Sequence, residues 1–404
     1  MQIKMKPPQL GFDTERLQRI NRWMQRYIDE GKLAGSSVLL ARHGEIVHLA
    51  TAGQRSLAEN QPFETDTIVR IYSMTKPVAT VGIMQLVEKG LLHLDAPIDQ
   101  YLPEFSACQA LIPGAETAEQ LERAPVPTVH QLLTHTAGFT YVFNSGVLGH
   151  LYQQHQIDFN PATGTLAQRT QDLAAMPLAF QPGSRWEYSV SIDVIGRIIE
   201  VVSGQPLDAF LAQEILLPLG MIDTGFSVSD SQLERYADCY VKTPDEALKL
   251  IDPAQNSAFH VAKVECFSAG GGLLSTLSDY FRFVEMLRRG GELDGVRILS
   301  PRTVAFMRRN HLAADIADMG PTSFSEMSTR GMGFGLGGSV LREPALTGMP
   351  GSVGDYSWGG MASTFFWTDP MEQLTVIFFT QLIPSSSYTC RAELKALVHG
   401  ALVA

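Results

Sequence analysis

Basic residues are few in this chain, and so are the patterns that a nucleic-acid, membrane or metal site needs. Lys and Arg total 31 against 42 Asp and Glu, a net charge of −11. No basic run interrupts that balance, which excludes a nucleic-acid surface. No apolar stretch approaches the ~20 residues of a membrane-spanning helix. Met1 to Leu10 is polar, carries Pro7-Pro8 and lacks the apolar centre of a secretory leader. The four cysteines, Cys108, Cys239, Cys266 and Cys390, stand far apart with no C-x-x-C pair. They read as free thiols of a reducing compartment, and a cytoplasmic location is expected. The pairs His130/His135 and His150/His155 are five apart, which does not place them on one helical face, so no metal is expected. A G-x-G-x-x-G run spans Gly333 to Gly338, but no clear strand precedes it and no amphipathic helix follows, so no dinucleotide cofactor is expected. There is no G-x-S-x-G, which excludes the nucleophile elbow of α/β-hydrolases.

What is present fits a folded protein of two lobes: 404 residues, 45% hydrophobic, with 35 Gly and 22 Pro. Asp13 or Thr14 can cap a first amphipathic helix, carrying Leu17, Ile20, Trp23, Met24, Tyr27 and Ile28 and ending at Gly31. Residues 36–42 and 45–50 flank His43-Gly44 as a hairpin, and a third strand-like run covers 67–72. Helices are expected over 74–89, apolar on one face, and over 191–203 and 277–289, each stopping at a glycine. Residues 362–368 and 374–381 make a second hairpin around Asp369-Pro370, and a last helix starts near Cys390. Strands thus lie at both chain ends with helices between them. The expected fold is α+β: an antiparallel sheet built from both ends, flanked by the terminal helices, with a mostly helical lobe inserted. The corresponding domains are residues 1–75 plus 330–404, and residues 76–329, with the active site in the cleft between them.

Ser73-Met74-Thr75-Lys76 is the one Ser-x-x-Lys in the chain, and it sits where a strand-like run turns into a helix. Serine and lysine three apart share a helical face. Free N–H groups at the helix start favour negative charge on the serine oxygen. A lysine in a dry pocket loses proton affinity and can accept the serine's proton. Tyr188, in the loop Pro182 to Ser189 before the helix at 191, is a candidate proton donor to a leaving group. The same residue also reads as a core aromatic. Trp358-Gly359-Gly360-Met361 precedes the strand at 362, where glycines admit close backbone approach. An N–H there could pair with that of Ser73 as an oxyanion hole. Tyr141, Phe143 and Trp186 are candidates for an acyl pocket or for the core. Cys266 lies in a glycine-rich segment, 265–272, read as a wall near the cleft.

These three elements, in this order, resemble the serine β-lactamase and penicillin-binding superfamily, and within it the family VIII carboxylesterases related to class C β-lactamases. Leu132 to Gly138, Leu-Leu-Thr-His-Thr-Ala-Gly, matches a segment shared across that family, in which His135 would be a scaffold residue. The resemblance implies a β-lactamase/transpeptidase-like fold and a serine esterase acting on small-molecule esters. Ser73 would be the nucleophile, Lys76 and Tyr188 the proton shuttle, and the N–H groups of Ser73 and Met361 the oxyanion hole. Two departures matter. Tyr188 is followed by Ser189 and Val190 where lactamases have Tyr-x-Asn, and Trp358-Gly359-Gly360 stands where they have Lys-Thr-Gly. Valine and tryptophan remove partners for a lactam's amide and carboxylate, so neutral short-chain esters are expected. Acyl transfer to an alcohol, and weak lactam or D-alanyl peptide hydrolysis, are the alternatives. Oligomeric state is left open.

Overall fold

The computed structural model describes residues 7–245 and 247–404. Residues 1–6 of the N-terminal stretch discussed above therefore lie outside the described residues. Helix α1 (Thr14–Asp29) is capped by Asp13, whose carboxylate accepts the N–H of Arg16 at 2.9 Å, and its buried face carries Leu17, Ile20, Trp23, Met24 and Tyr27. Strands β1 (Gly35–Arg42) and β2 (Glu45–Ser56) form the first hairpin. Its turn residues His43 and Gly44 both have positive φ, 54° and 86°, which matches the strands' twist.

The main sheet has eight strands. After β1, β2 and the short β3 (Gln61–Pro62), the chain leaves it and returns as β4 (Met332–Phe334), β5 (Ser339–Leu341), β6 (Tyr356–Gly359), β7 (Phe365–Asp369) and β8 (Leu374–Thr380). The spatial order is β4-β5-β6-β7-β8-β1-β2-β3, antiparallel throughout. β1 and β8 join the two chain ends, in register from Ser36 opposite Thr380 to Arg42 opposite Leu374.

Both faces of this sheet are covered, so its central strands are apolar on both sides rather than alternating with polar residues. Val38, Leu40, Val376 and Phe378 pack against α1 and the C-terminal helix α5 (Cys390–Ala401). Leu39, Ala41, Ile377 and Phe379 belong to the larger core on the opposite face, with Tyr280 and Phe283 of α4 (Leu277–Arg288). This is the expected α+β architecture. No described helix is long and apolar enough to cross a membrane.

Three expectations need correction. Helix α2 (Thr75–Glu88) is buried on every side from Thr75 to Leu86, because it runs through the interior of the helical region rather than along its surface. The run 67–72 contributes only the two-residue strand Val69–Arg70, which pairs with Leu274–Ser275 outside the main sheet. Between α2 and β4 the chain also carries short strands besides α3 (Ser191–Ser203) and α4. One pair, Cys239–Lys242 and Leu248–Asp252, is joined in parallel by Leu382–Ile383. The helix stops were legible: Gly31, Gly90, Gly204 and Gly290 all have φ between 66° and 71°. The run Gly333 to Gly338 forms the β4–β5 hairpin.

Candidate active site

The turn that carries Ser73 is pinned from both sides. Arg70, fully buried, pairs with Asp252 at 2.6 Å and donates to the carbonyl of Ala237 at 2.6 Å. Ile71 N–H donates to Leu273 at 3.1 Å. Tyr72 has φ +42°, a conformation a bulky residue rarely takes, and this re-aims the chain from the Val69–Arg70 strand into a single 3₁₀ turn, Tyr72–Met74, ahead of α2. On the far side the Tyr280 hydroxyl donates to Met74 O at 2.9 Å, and Leu273 N–H to Thr75 Oγ1 at 3.0 Å. Ser73 therefore lies just before the helix rather than within its first turn. It opens onto a cleft of about 1120 Å³.

Lys76 is fully buried and reaches three oxygens. Its Nζ lies 3.2 Å from Ser73 Oγ, 2.9 Å from Tyr141 Oη and 2.7 Å from the carbonyl of Gly270. The carbonyl can only accept, and the phenol can accept as well. A neutral amine has two N–H groups and one lone pair, so donating to Gly270 and Tyr141 turns the lone pair to Ser73. The arrangement can take the serine's proton.

Tyr188 approaches the same amine by its ring face. Lys76 Nζ is 4.6 Å from the Tyr188 ring centroid, and the Tyr188 hydroxyl accepts from Trp358 Nε1 at 3.4 Å. Its loop is tied to the 135–144 segment by Glu187 N–H to His135 O at 2.9 Å, Asn144 Nδ2 to Tyr188 O at 3.0 Å, and Val190 N–H to Thr140 O at 3.2 Å. His135, fully buried, accepts the Ser189 N–H at Nδ1, 3.3 Å. Burial, and then the nearby Lys76 charge, hold its pKa well below the ordinary histidine value, so it is neutral scaffolding. Burial pushes the Tyr141 phenol well above its usual range, with further upward contributions from Tyr188 and Asp193, so Tyr141 stays protonated.

The opposite wall is apolar. Trp358 lies in β6, pairing with Phe366, and not in a turn ahead of a strand as its position before residue 362 suggested. Its ring stacks on Phe324 at 5.3 Å and meets Phe334 edge-on at 5.2 Å. Gly359 and Gly360 have no room for a Cβ: one would strike Arg391, the other the carbonyl of Ile71 beside the nucleophile turn. Met361, 41% exposed, follows at the cleft edge, and its N–H meets no protein acceptor among the described residues. Val190 and Phe143 also line the cleft, Phe143 stacked on Tyr141 at 4.7 Å. Trp186 does not line it. That residue is buried behind Tyr188, stacked at 6.4 Å, where Phe324 and Phe334 also pack against its ring. The cleft's other cations are already paired, Arg391 with Glu326 at 2.6 Å and Lys395 with Asp355.

Sequence reasoning missed four participants. The contact of Tyr141 with Lys76, the carbonyl of Gly270, Phe324 on Trp358, and the buried Asp193 beside Gly270 all come from distant segments with no local spacing signal.

Comparison with known proteins identifies the family and the fold. Residues 20–399 match the family described as Beta-lactamase. Esterase EstB of Burkholderia gladioli is 32% identical over 384 residues, 90% of this chain and 89% of EstB. Monacolin J acid methylbutanoyltransferase of Aspergillus terreus is 28% identical over 386 residues, 90% of each chain. Among solved structures, "EstCE1, a hydrolase with promiscuous acyltransferase activity" superposes with a TM-score of 0.80 at 28% identity, covering 96% of this chain and 99% of that one. The chain belongs to the beta-lactamase family.

Proposed function

We propose that this member of the beta-lactamase family is a serine carboxylesterase that forms an acyl-enzyme on Ser73 with neutral, short-acyl esters. Ser73 Oγ attacks the acyl carbon while its proton passes to Lys76 Nζ. The N–H groups of Ser73 and Met361 receive the oxyanion, and Lys76 with Tyr188 returns the proton to the departing alcohol. Water then attacks the acyl carbon, gives up its proton by the same route, and frees Ser73. Val190, Trp358, Gly359, Gly360, Phe143 and Tyr141 bound the substrate. The site belongs to a cleft between a discontinuous sheet lobe, residues 1–75 and 330–404, and an inserted lobe, residues 76–329. A cytoplasmic location is part of the same proposal, supported by four cysteines that are all unpaired.

One observation carries the choice of ester over lactam. The wall facing Ser73 and Lys76 is Trp358 among aromatic rings, and the cations lining the cleft, Arg391 and Lys395, already pair with carboxylates. A β-lactam or D-alanyl peptide would bring a carboxylate into a cleft where Arg391 and Lys395 are already engaged by carboxylates, at the cost of its desolvation. A second reading, acyl transfer to an alcohol, is supported by the transferase relative and by the promiscuity of EstCE1. A panel of p-nitrophenyl acetate and butyrate, a chromogenic cephalosporin and a D-alanyl-D-alanine peptide tests the assignment. Ester kcat/KM should exceed cephalosporin kcat/KM by at least ~100-fold, the discrimination reachable when buried polar groups are left unpaired. The reverse order would assign a lactamase. Ester product formed with added alcohol separates transfer from hydrolysis.

A further inference from the structure

The general base is held by a residue that is itself held, and the residue at the end of that chain has no part in the scheme above. Asp193 occupies the first turn of the 13-residue helix α3 and is 1% exposed. Its Oδ1 accepts the Ser268 hydroxyl at 2.6 Å and the Gly270 N–H at 3.0 Å. The carbonyl of that same Gly270 accepts Lys76 Nζ at 2.7 Å. A Cβ on Gly270 would collide with the Asp193 carboxylate, so the close approach requires glycine. Burying a carboxylate is costly unless something compensates. The helix N-terminus supplies part of that compensation. Among the described residues no ion pair involves Asp193, and the cation whose charge acts on it is Lys76.

We propose that Asp193 is a positioning residue for Lys76: it fixes the Gly270 carbonyl that orients Nζ toward Ser73, and its negative charge stabilises the ammonium formed when Lys76 takes the serine's proton. Nucleophile, base and orienting carboxylate then stand in series, the logic of a catalytic triad, with a backbone residue inserted between base and carboxylate. The titratable groups around this series are Tyr141 and Tyr188 from their loops, His135 behind Tyr188, and Cys266 at the start of the glycine-rich segment. Burial keeps the Tyr141 phenol and the Cys266 thiol protonated and the His135 imidazole unprotonated, so these three carry no charge, and the Asp193 carboxylate faces the ammonium that forms on Lys76.

The inference rests on the acyl-enzyme reading, so the test reads Ser73 directly. Asp193→Asn keeps an oxygen acceptor for Ser268 and Gly270 but removes the charge. With that charge gone the ammonium formed on proton transfer from Ser73 is less favoured. The acidic limb of the rate of fluorophosphonate labelling at Ser73, and of kcat/KM for p-nitrophenyl acetate, should move to lower pH. The kcat should fall ~10–100-fold, in the range of general-base contributions, with KM within about 3-fold. A carboxylate that merely supports the fold would lower the labelled fraction without moving the pH limb. Ser268→Ala removes one of the two hydrogen bonds to the carboxylate and serves if Asp193→Asn does not fold: kcat should fall about 3–10-fold with KM unchanged. Wild-type labelling at Ser73 together with an unchanged rate and pH limb in the folded variant overturns the inference. Absence of labelling in the wild type overturns the nucleophile assignment and the role of Asp193 with it.

Discussion

On one side of the cleft, Lys76 Nζ meets Ser73, Tyr141 and Gly270 at 2.7–3.2 Å, and Gly270 is held in turn by the Asp193 carboxylate behind it. On the other side, Trp358 meets Tyr188, Phe324 and Phe334 with ring centroids 5.2–5.3 Å away, and its one polar contact is the long hydrogen bond to Tyr188. The two walls answer to different physics. A dry polar network fails when a single member is removed, because the remaining members are left buried and unsatisfied. An aromatic wall loses contact area in proportion to what is cut away. Chemistry should therefore be brittle to substitution on the first wall, while substrate choice should be graded on the second.

Removing the amine gives the largest expected effect. Lys76→Ala should lower ester kcat by about 10³-fold, within the span of general-base catalysis, with KM changed only a few-fold in steady-state assays. A loss confined to KM would break the division between walls. The two phenols sharpen it. Tyr188→Phe should cost about 10²-fold in kcat as loss of the leaving-group donor, and Tyr141→Phe about 10-fold as loss of one of the partners that orient Nζ. If stopped-flow acylation rates reverse that order, the proton shuttle runs through Tyr141, whose hydroxyl is the one that touches Lys76. The smallest effect belongs to the apolar wall. Trp358→Ala should raise KM about 5-fold for esters with bulky apolar groups and less for acetate, with kcat nearly constant, in line with lost area. A kcat collapse in this variant would mean that the tryptophan's hydrogen bond to Tyr188 is part of the proton path.

Legibility in the sequence followed distance along the chain. Ser73 and Lys76 are three apart on one turn, and the helix stops at Gly31, Gly90, Gly204 and Gly290 follow from a single residue's freedom, so local rules sufficed. The join of β1 to β8 was legible because strand patterns at both ends called for one sheet. Tyr141 lies 65 residues from Lys76 and Gly270 lies 194 away, and no periodicity links such positions. Tyr141 and Trp186 were equally plausible wall residues in the sequence. Only the fold sends the first to the lysine and the second behind Tyr188. Asp193 gave no signal because an acidic residue in a helix's first turn is ordinary. What distinguishes it is burial beside Gly270, which is a tertiary fact.

Hydrolysis by this site passes through a covalent acyl intermediate on Ser73 in the proposed mechanism. Acid quench of the enzyme during p-nitrophenyl butyrate turnover, followed by intact mass and peptide mapping, tests it most directly. One added butyryl group is expected on the peptide carrying Ser73, and neither adduct nor turnover in Ser73→Ala. An adduct on another residue, or a Ser73→Ala variant that hydrolyses the ester at the wild-type rate, would contradict it.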